Sequence, residues 1–145
     1  MHFDHVLVVC TGNICRSPMA EALLRARLGP DRQIAVSSAG TGALAGAPAD
    51  PQAQALMEAR GIDLASHRAR QLDRPLLLAA PLVLVMDDSH ARWIAQRVPE
   101  ARGRVQQLGR WRRLDVPDPY RRGPAAFEHA LQLIDGCIDD WLQRL

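Results

Sequence analysis

The stretch from Val6 to Leu28 constrains the fold most. An apolar run, Val6-Leu7-Val8-Val9, stops at Cys10-Thr11-Gly12-Asn13-Ile14-Cys15-Arg16-Ser17-Pro18, and a helical pattern opens directly behind it. A strand that ends in a tight loop and feeds a helix asks for a parallel sheet with crossover helices. The loop itself also carries chemistry. A cysteine, five residues, then an arginine and a hydroxyl residue is the layout that holds a phosphate-sized dianion against a nucleophilic sulfur. Backbone N–H groups at such a strand-to-helix turn converge on one point. The same field favours the thiolate form of a sulfur placed there. Thr11 to Ser17 therefore form the candidate phosphate-binding loop, with Cys10 as nucleophile and Arg16 as a planar fork matching two phosphate oxygens. Gly12 is expected to allow close backbone approach, and Asn13 to take a left-handed conformation. Ser17 is placed either to cap the helix or to donate to the sulfur, with Pro18 at the first helical position. Alone, Cys-x5-Arg is a weak pattern, because cysteines are often simply buried apolar residues. The preceding strand and the Ser-Pro helix start make it specific.

The rest of the chain extends the same alternation. Strands are expected at His5–Val9, Gln33–Ser37, Pro81–Met86 and Val105–Leu108. Helices are expected at Pro18–Leu28, from Asp50-Pro51 to about Arg60, at Asp87–Val98 and from Ala125 to about Arg144. Ala39–Ala49, Ser66–Gln71 and Arg110–Pro124 read as loops, and Leu76-Leu77-Leu78 as a short apolar segment. The fold class is thus α/β: one domain over residues 1–145, a four-stranded parallel sheet in the order 2-1-3-4, and helices on both faces. In such a sheet the ligand lies beyond the carboxyl ends of the strands. That edge brings the loop after strand four to the loop after strand one, and so carries Asp118 to Cys10. An acid is needed there, since a thiolate that attacks a phosphate ester must expel an alkoxide or phenoxide. Pro117 and Pro119 stiffen the chain around Asp118. A carboxyl facing a phosphate dianion holds its proton more readily, can give it to the leaving oxygen and can later activate water.

Composition narrows the function classes. At 145 residues the chain can bury a core without staples. All 18 basic residues are arginine, and the net charge of +2 is too small to argue for nucleic acid. No apolar stretch approaches the roughly 20 residues of a membrane helix, so membrane insertion is not expected. The first residues lack the basic start of a secretory signal. Three cysteines make no disulfide framework, which points to a reducing cytoplasm. No Gly-Lys-Ser/Thr of a nucleotide loop is present, and Cys10 and Cys15 lack companion zinc ligands. Neither metal nor cofactor is expected. A monomer is the default.

Cys10–Pro18, Val36-Ser37-Ser38-Ala39-Gly40, Ser66–Gln71, Val85–Ser89 and Asp118-Pro119-Tyr120 together resemble the low-molecular-weight protein tyrosine phosphatases, in order and over nearly the whole chain. The resemblance implies Cys10 as nucleophile, Arg16 as phosphate clamp and Asp118 as general acid. It implies that Asn13, Ser17, Ser38 and His67 hold the shape of the loop, with Asp87 paired to His67. It also implies that Cys15 is a redox partner, closing a reversible disulfide with Cys10 under oxidation. Ala39–Gly46, Leu108–Trp111 and Val116–Arg121 are similar to the bacterial branch that acts on tyrosine autokinases of capsule and exopolysaccharide production. A phosphotyrosine protein, in that branch the kinase's own tyrosine-rich tail, is the implied partner. Eukaryotic members commonly carry further aromatic residues at the cleft; here those places hold Arg121 and residues such as Leu44. Tyr120, the only tyrosine, is left as the main aromatic wall of the substrate rim. Arg121 and Arg122 suit an acidic tail, or are simply solvated.

Two other classes stand beside this reading. Arsenate reductases share the fold and the loop, but need further cysteines in a mobile segment; none lies between Cys15 and Cys137. A non-catalytic phosphotyrosine-binding module is expected to have lost the thiol or the acid, and Cys10, Arg16 and Asp118 are all present.

Overall fold

A computed structural model describes residues 3–145. Strand β1 (His5–Cys10) leads into helix α1 (Arg16–Leu28), and β2 (Ala35–Gly40) follows. Two helices, α2 (Pro51–Glu58) and α3 (Arg74–Ala79), precede β3 (Leu82–Val85). Then come α4 (Asp88–Arg97), β4 (Val105–Gln107) and the long α5 (Pro124–Leu142). The strands form one sheet in the order β2-β1-β3-β4, parallel throughout, with Val8 opposite both Ser38 and Leu84. This is the order expected from the sequence.

Side chains alternate across a strand, so β1 feeds two cores. Val6 and Val8 meet Met19, Leu23 and Leu24 of α1 and Phe127, Ile134 and Ile138 of α5. Leu7 and Val9 face Leu77 of α3 and Ile94 of α4 on the opposite side. Burial on both faces is why β1 and β3 read as unbroken apolar runs rather than alternating ones. The expected apolar faces of α1 (Ala20, Leu23, Leu24, Leu28) and α5 (Phe127, Leu131, Ile134, Ile138, Trp141) are buried.

Boundaries shifted where backbone geometry intervened. The second strand runs Ala35–Gly40 rather than Gln33–Ser37, because Gln33 takes a left-handed φ of 53° behind a 3-10 turn. Ala39 and Gly40 therefore pair with Val9 and Cys10 instead of opening a loop. Helix α1 begins at Arg16, so Pro18 is its third residue, still within the first turn that proline tolerates. Asp73 accepts from the Leu76 N–H and caps α3, turning the short apolar segment into a helical one. No helix of the described residues is long and apolar enough to cross a membrane.

Candidate active site

Every strand delivers its next residues to the same edge. Cys10 ends β1 beside Gly40 at the end of β2. Asp87 follows β3 and caps α4. The chain after β4 returns at Val116, whose N–H donates to Met86 O at 3.0 Å.

The backbone of the loop after β1 is turned inside out by its surroundings. The carbonyls of Cys10, Thr11, Gly12 and Ile14 accept from the N–H groups of Thr41, Gly42, Leu44 and Asp50, at 2.9 to 3.1 Å. The ring Nε2–H of His67 donates to Asn13 O at 2.7 Å. In a trans peptide the N–H points opposite to the C=O, so carbonyls held outward leave the amides of residues 11 to 15 facing inward. That is an anion-binding concavity at the start of a helix.

Asn13 sits at the centre of the packing under this loop. It is fully buried and left-handed, with φ 59°. Its amide nitrogen donates to Ser17 Oγ at 2.7 Å and to Ser38 Oγ at 3.0 Å, while its oxygen accepts from Arg70 N at 3.0 Å. Ser38 in turn donates to Glu21 at 2.5 Å. Ser17 Oγ stands 2.9 Å from the Cys10 sulfur; of its two expected roles it takes the one at the sulfur, and no side chain caps α1. Within the protein itself, the position at this loop that requires a glycine is Gly40. A Cβ at Gly12 would meet nothing nearer than Ile14 at 3.6 Å, whereas one at Gly40 would lie 2.3 Å from Thr11 O.

Arg16 is almost wholly buried, and its guanidinium is held at both ends. Nη1 donates to Asp87 Oδ2 at 3.0 Å and to Val116 O at 2.8 Å. Nη2 lies 3.4 Å from Thr11 Oγ1 and 3.8 Å from Asp118 Oδ2. The expected pairing of Asp87 with His67 does not form: His67 binds the Asn13 carbonyl, and Asp87 binds Arg16 and Ser89. Helix α3 and strand β3 separate the two residues in the chain, and a charged guanidinium is the stronger partner for a carboxylate. Burial opposes the charge of Asp87, yet the hydrogen bonds from Ser89 and Arg16 outweigh it and keep its carboxyl below the usual range.

Across the cleft, Asp118 is half exposed. Its Oδ1 accepts from the Tyr120 N–H at 3.1 Å, an Asx turn. The cleft between the two loops has a volume of about 210 Å³. Its floor is Cys10 and Arg16, and its walls include Ile14 and Leu44 on one side and Asp118 and Tyr120 on the other. Arg121 does not line it; its guanidinium stacks 5.0 Å from the centre of the Tyr120 ring. Cys15 is a buried free thiol, like Cys137. Burial, then the carboxylate of Asp50, push its pKa up, so it stays protonated.

One polar residue at this edge was missed from the sequence. His90 is 1% exposed and lies behind Thr11. Its only signal was position: the third residue of the helix after the Asp87 cap is where a side chain reaches back to the cap.

Comparison with known proteins gives the family. A family model described as low molecular weight phosphotyrosine protein phosphatase matches residues 5–145. The chain is 49% identical over 140 residues to EpsP of Ralstonia nicotianae, a probable low molecular weight protein-tyrosine-phosphatase, with 97% of this chain and 94% of that one covered. It is similar to the solved structure of Vibrio vulnificus Wzb in complex with benzylphosphonate, with a TM-score of 0.94 and 40% identity over 99% of this chain and 100% of that one. It is also similar to the arginine phosphatase YwlE of Geobacillus stearothermophilus, with a TM-score of 0.89 and 34% identity over 97% and 91% of the two chains. The chain therefore belongs to the low molecular weight phosphotyrosine protein phosphatases and is an enzyme of the bacterial kind that includes EpsP and Wzb.

Proposed function

We propose that the whole chain works as one domain that hydrolyses protein phosphotyrosine in two displacements through a phosphocysteine. The Cys10 thiolate attacks phosphorus while the inward amides and Arg16 hold the equatorial oxygens. The bond from phosphorus to the phenolic oxygen breaks, and Asp118 gives its proton to that oxygen, releasing tyrosine. Water then attacks the phosphocysteine and yields its proton to the Asp118 carboxylate. The S–P bond breaks, phosphate leaves and the thiolate returns, stabilised by the Ser17 hydroxyl. Both steps balance without a metal or redox cofactor.

The observation that carries this reading is the convergence of one loop near the start of the chain with a carboxylate from near its other end. Cys10, Arg16 and Asp118 line one small cleft, with the Asp118 carboxylate 3.8 Å from the Arg16 guanidinium. Ile14, Leu44 and Tyr120 wall that cleft with apolar surface, which suits an aromatic ring better than the polar stem of a phosphoarginine. The physiological partner in this reading is a cytoplasmic tyrosine autokinase of exopolysaccharide production, met through its phosphorylated tail. The EpsP and Wzb relatives support that choice. Cys15 is the resolving thiol: a peroxide-oxidised Cys10 sulfenic acid condenses with it to a disulfide and water.

The test is hydrolysis of p-nitrophenyl phosphate, a phosphotyrosine peptide and phosphoarginine in EDTA, beside Cys10→Ser. Turnover of the two aryl phosphates that vanishes in Cys10→Ser is the expected result. Turnover that survives Cys10→Ser overturns the phosphocysteine route, and preference for phosphoarginine overturns the substrate.

A further inference from the structure

His90 sits outside the cleft and outside every role assigned above, yet it is bonded to both residues that hold the ends of Arg16. Its Nδ1 accepts from the Asp87 backbone N–H at 3.2 Å, closing a capping box at the start of α4. A neutral imidazole has one donor and one acceptor nitrogen. With Nδ1 accepting, Nε2 carries the hydrogen, and Nε2 lies 3.0 Å from Thr11 Oγ1. Burial keeps the ring neutral, so this tautomer is held. Asp87 binds Nη1 of Arg16 and Thr11 approaches Nη2. One buried ring thus braces both contacts of the guanidinium from behind. The Thr11 oxygen, accepting from His90 and from Arg16, has its own hydrogen left over, and Thr11 lines the cleft.

We propose that His90 is a positioning residue for phosphoryl transfer, fixing the plane of the Arg16 guanidinium through Thr11 and Asp87. The proposal rests on Arg16 being the phosphate clamp. A displaced clamp loses transition-state contact faster than it loses ground-state binding, since the equatorial oxygens spread only as the phosphoryl group transfers.

The test is steady-state hydrolysis of p-nitrophenyl phosphate by His90→Leu, His90→Gln and Thr11→Val, with melting curves. His90→Leu is expected to lower kcat by roughly tenfold with little change in KM, at temperatures where it remains folded. His90→Gln keeps an acceptor for the Asp87 N–H and a donor for Thr11, and is expected to stay within about twofold of the native kcat. The double variant His90→Leu with Thr11→Val should fall well short of the product of the two single losses, because both act through the Thr11 contact with Arg16. A folded His90→Leu with native kcat, or a folded His90→Gln as slow as His90→Leu, overturns the proposal, and so does full additivity in the double variant. If His90→Leu does not fold, Thr11→Val decides: native kcat there overturns the proposal, and a loss rescued in Thr11→Ser supports it. Failure of the underlying assignment looks different, since Arg16→Ala would then turn over normally.

Discussion

Asn13 and Asp118 stand on opposite sides of one cleft and are held in opposite ways. Asn13 is fully buried and bonded through both ends of its amide. Asp118 keeps half of its side chain in water, with one backbone hydrogen bond and a loose approach to Arg16. The chain that carries Asp118 is anchored at Val116, which is buried and bonded on both its N–H and its C=O. Beyond that point, up to Gly123, its hydrogen bonds are local, from Tyr120 N–H to Asp118 and from Arg122 N–H to Pro119 O. In the proposed mechanism the difference follows from the work each side does. Binding a dianion needs amides fixed before the substrate arrives, because reorganisation at the moment of reaction is costly. A proton donor must meet leaving groups of varied shape and let the product out, which a half-solvated carboxyl on a short loop permits.

This contrast makes substitutions on the two sides separable. The largest effect is expected from Cys10→Ser, with turnover falling by at least ~10⁴-fold while phosphate still raises the melting temperature. Asp118→Ala is next: turnover should fall by about 10²- to 10³-fold for phosphotyrosine, far less for p-nitrophenyl phosphate, whose leaving group needs little protonation. Its melting temperature should stay within a degree or two of native; an equal loss for both substrates would sink the acid role. Asn13→Ala should do what Asp118→Ala does not, lowering both stability and kcat. It leaves Ser17, Ser38 and the Arg70 N–H short of partners, a cost of about 2–4 kcal/mol readable by urea titration.

Acid should weaken the Arg16 side first. His90 falls from an ordinary 6.5 to about 4 in the fold because it is buried. Above pH 6.5 it is neutral folded or unfolded and contributes no slope. Between 6.5 and about 4 only the unfolded chain takes the proton, so stability falls by up to about 1.4 kcal/mol per pH unit. Asp87, held below its ordinary 3.8, adds a further loss as pH falls past that value. The first slope should disappear in His90→Gln, as measured by chemical unfolding between pH 7 and 4. Tyr120→Ala should be the mildest change. The ring is 37% exposed, so a few-fold rise in KM for aryl phosphates, with kcat nearly unchanged, is expected.

The elements were legible because their signals are local. The apolar runs of β1 and β3, the spacing of α5 and the Asp50-Pro51 start of α2 each rest on residues a few positions apart. The nucleophile loop was legible for the same reason, since Cys10 to Ser17 lie within one turn of chain. Misreadings fell where distant residues compete for a partner. The pairing of Asp87 with His67 was plausible by residue type, but the buried guanidinium of Arg16 takes the carboxylate, and the Asn13 carbonyl takes the imidazole. Gly40 on the neighbouring strand is a second glycine with no local signal, because the crowding that requires it comes from Thr11 O, distant in sequence. His90 left almost no trace, since a lone histidine in a helical stretch gives no hint that it is 1% exposed.

The sequence by itself determined a parallel α/β sheet, the order of its strands and the three residues, Cys10, Arg16 and Asp118, to which the proposed mechanism gives the parts of nucleophile, clamp and acid. Short-range periodicity and turn chemistry are enough for the elements, and the strand order then places all three groups at one edge. Only the tertiary structure decided which polar groups bond to which. That choice depends on burial and distance between segments tens of residues apart, where an unpaired polar group is too costly to leave and the nearest strong partner prevails.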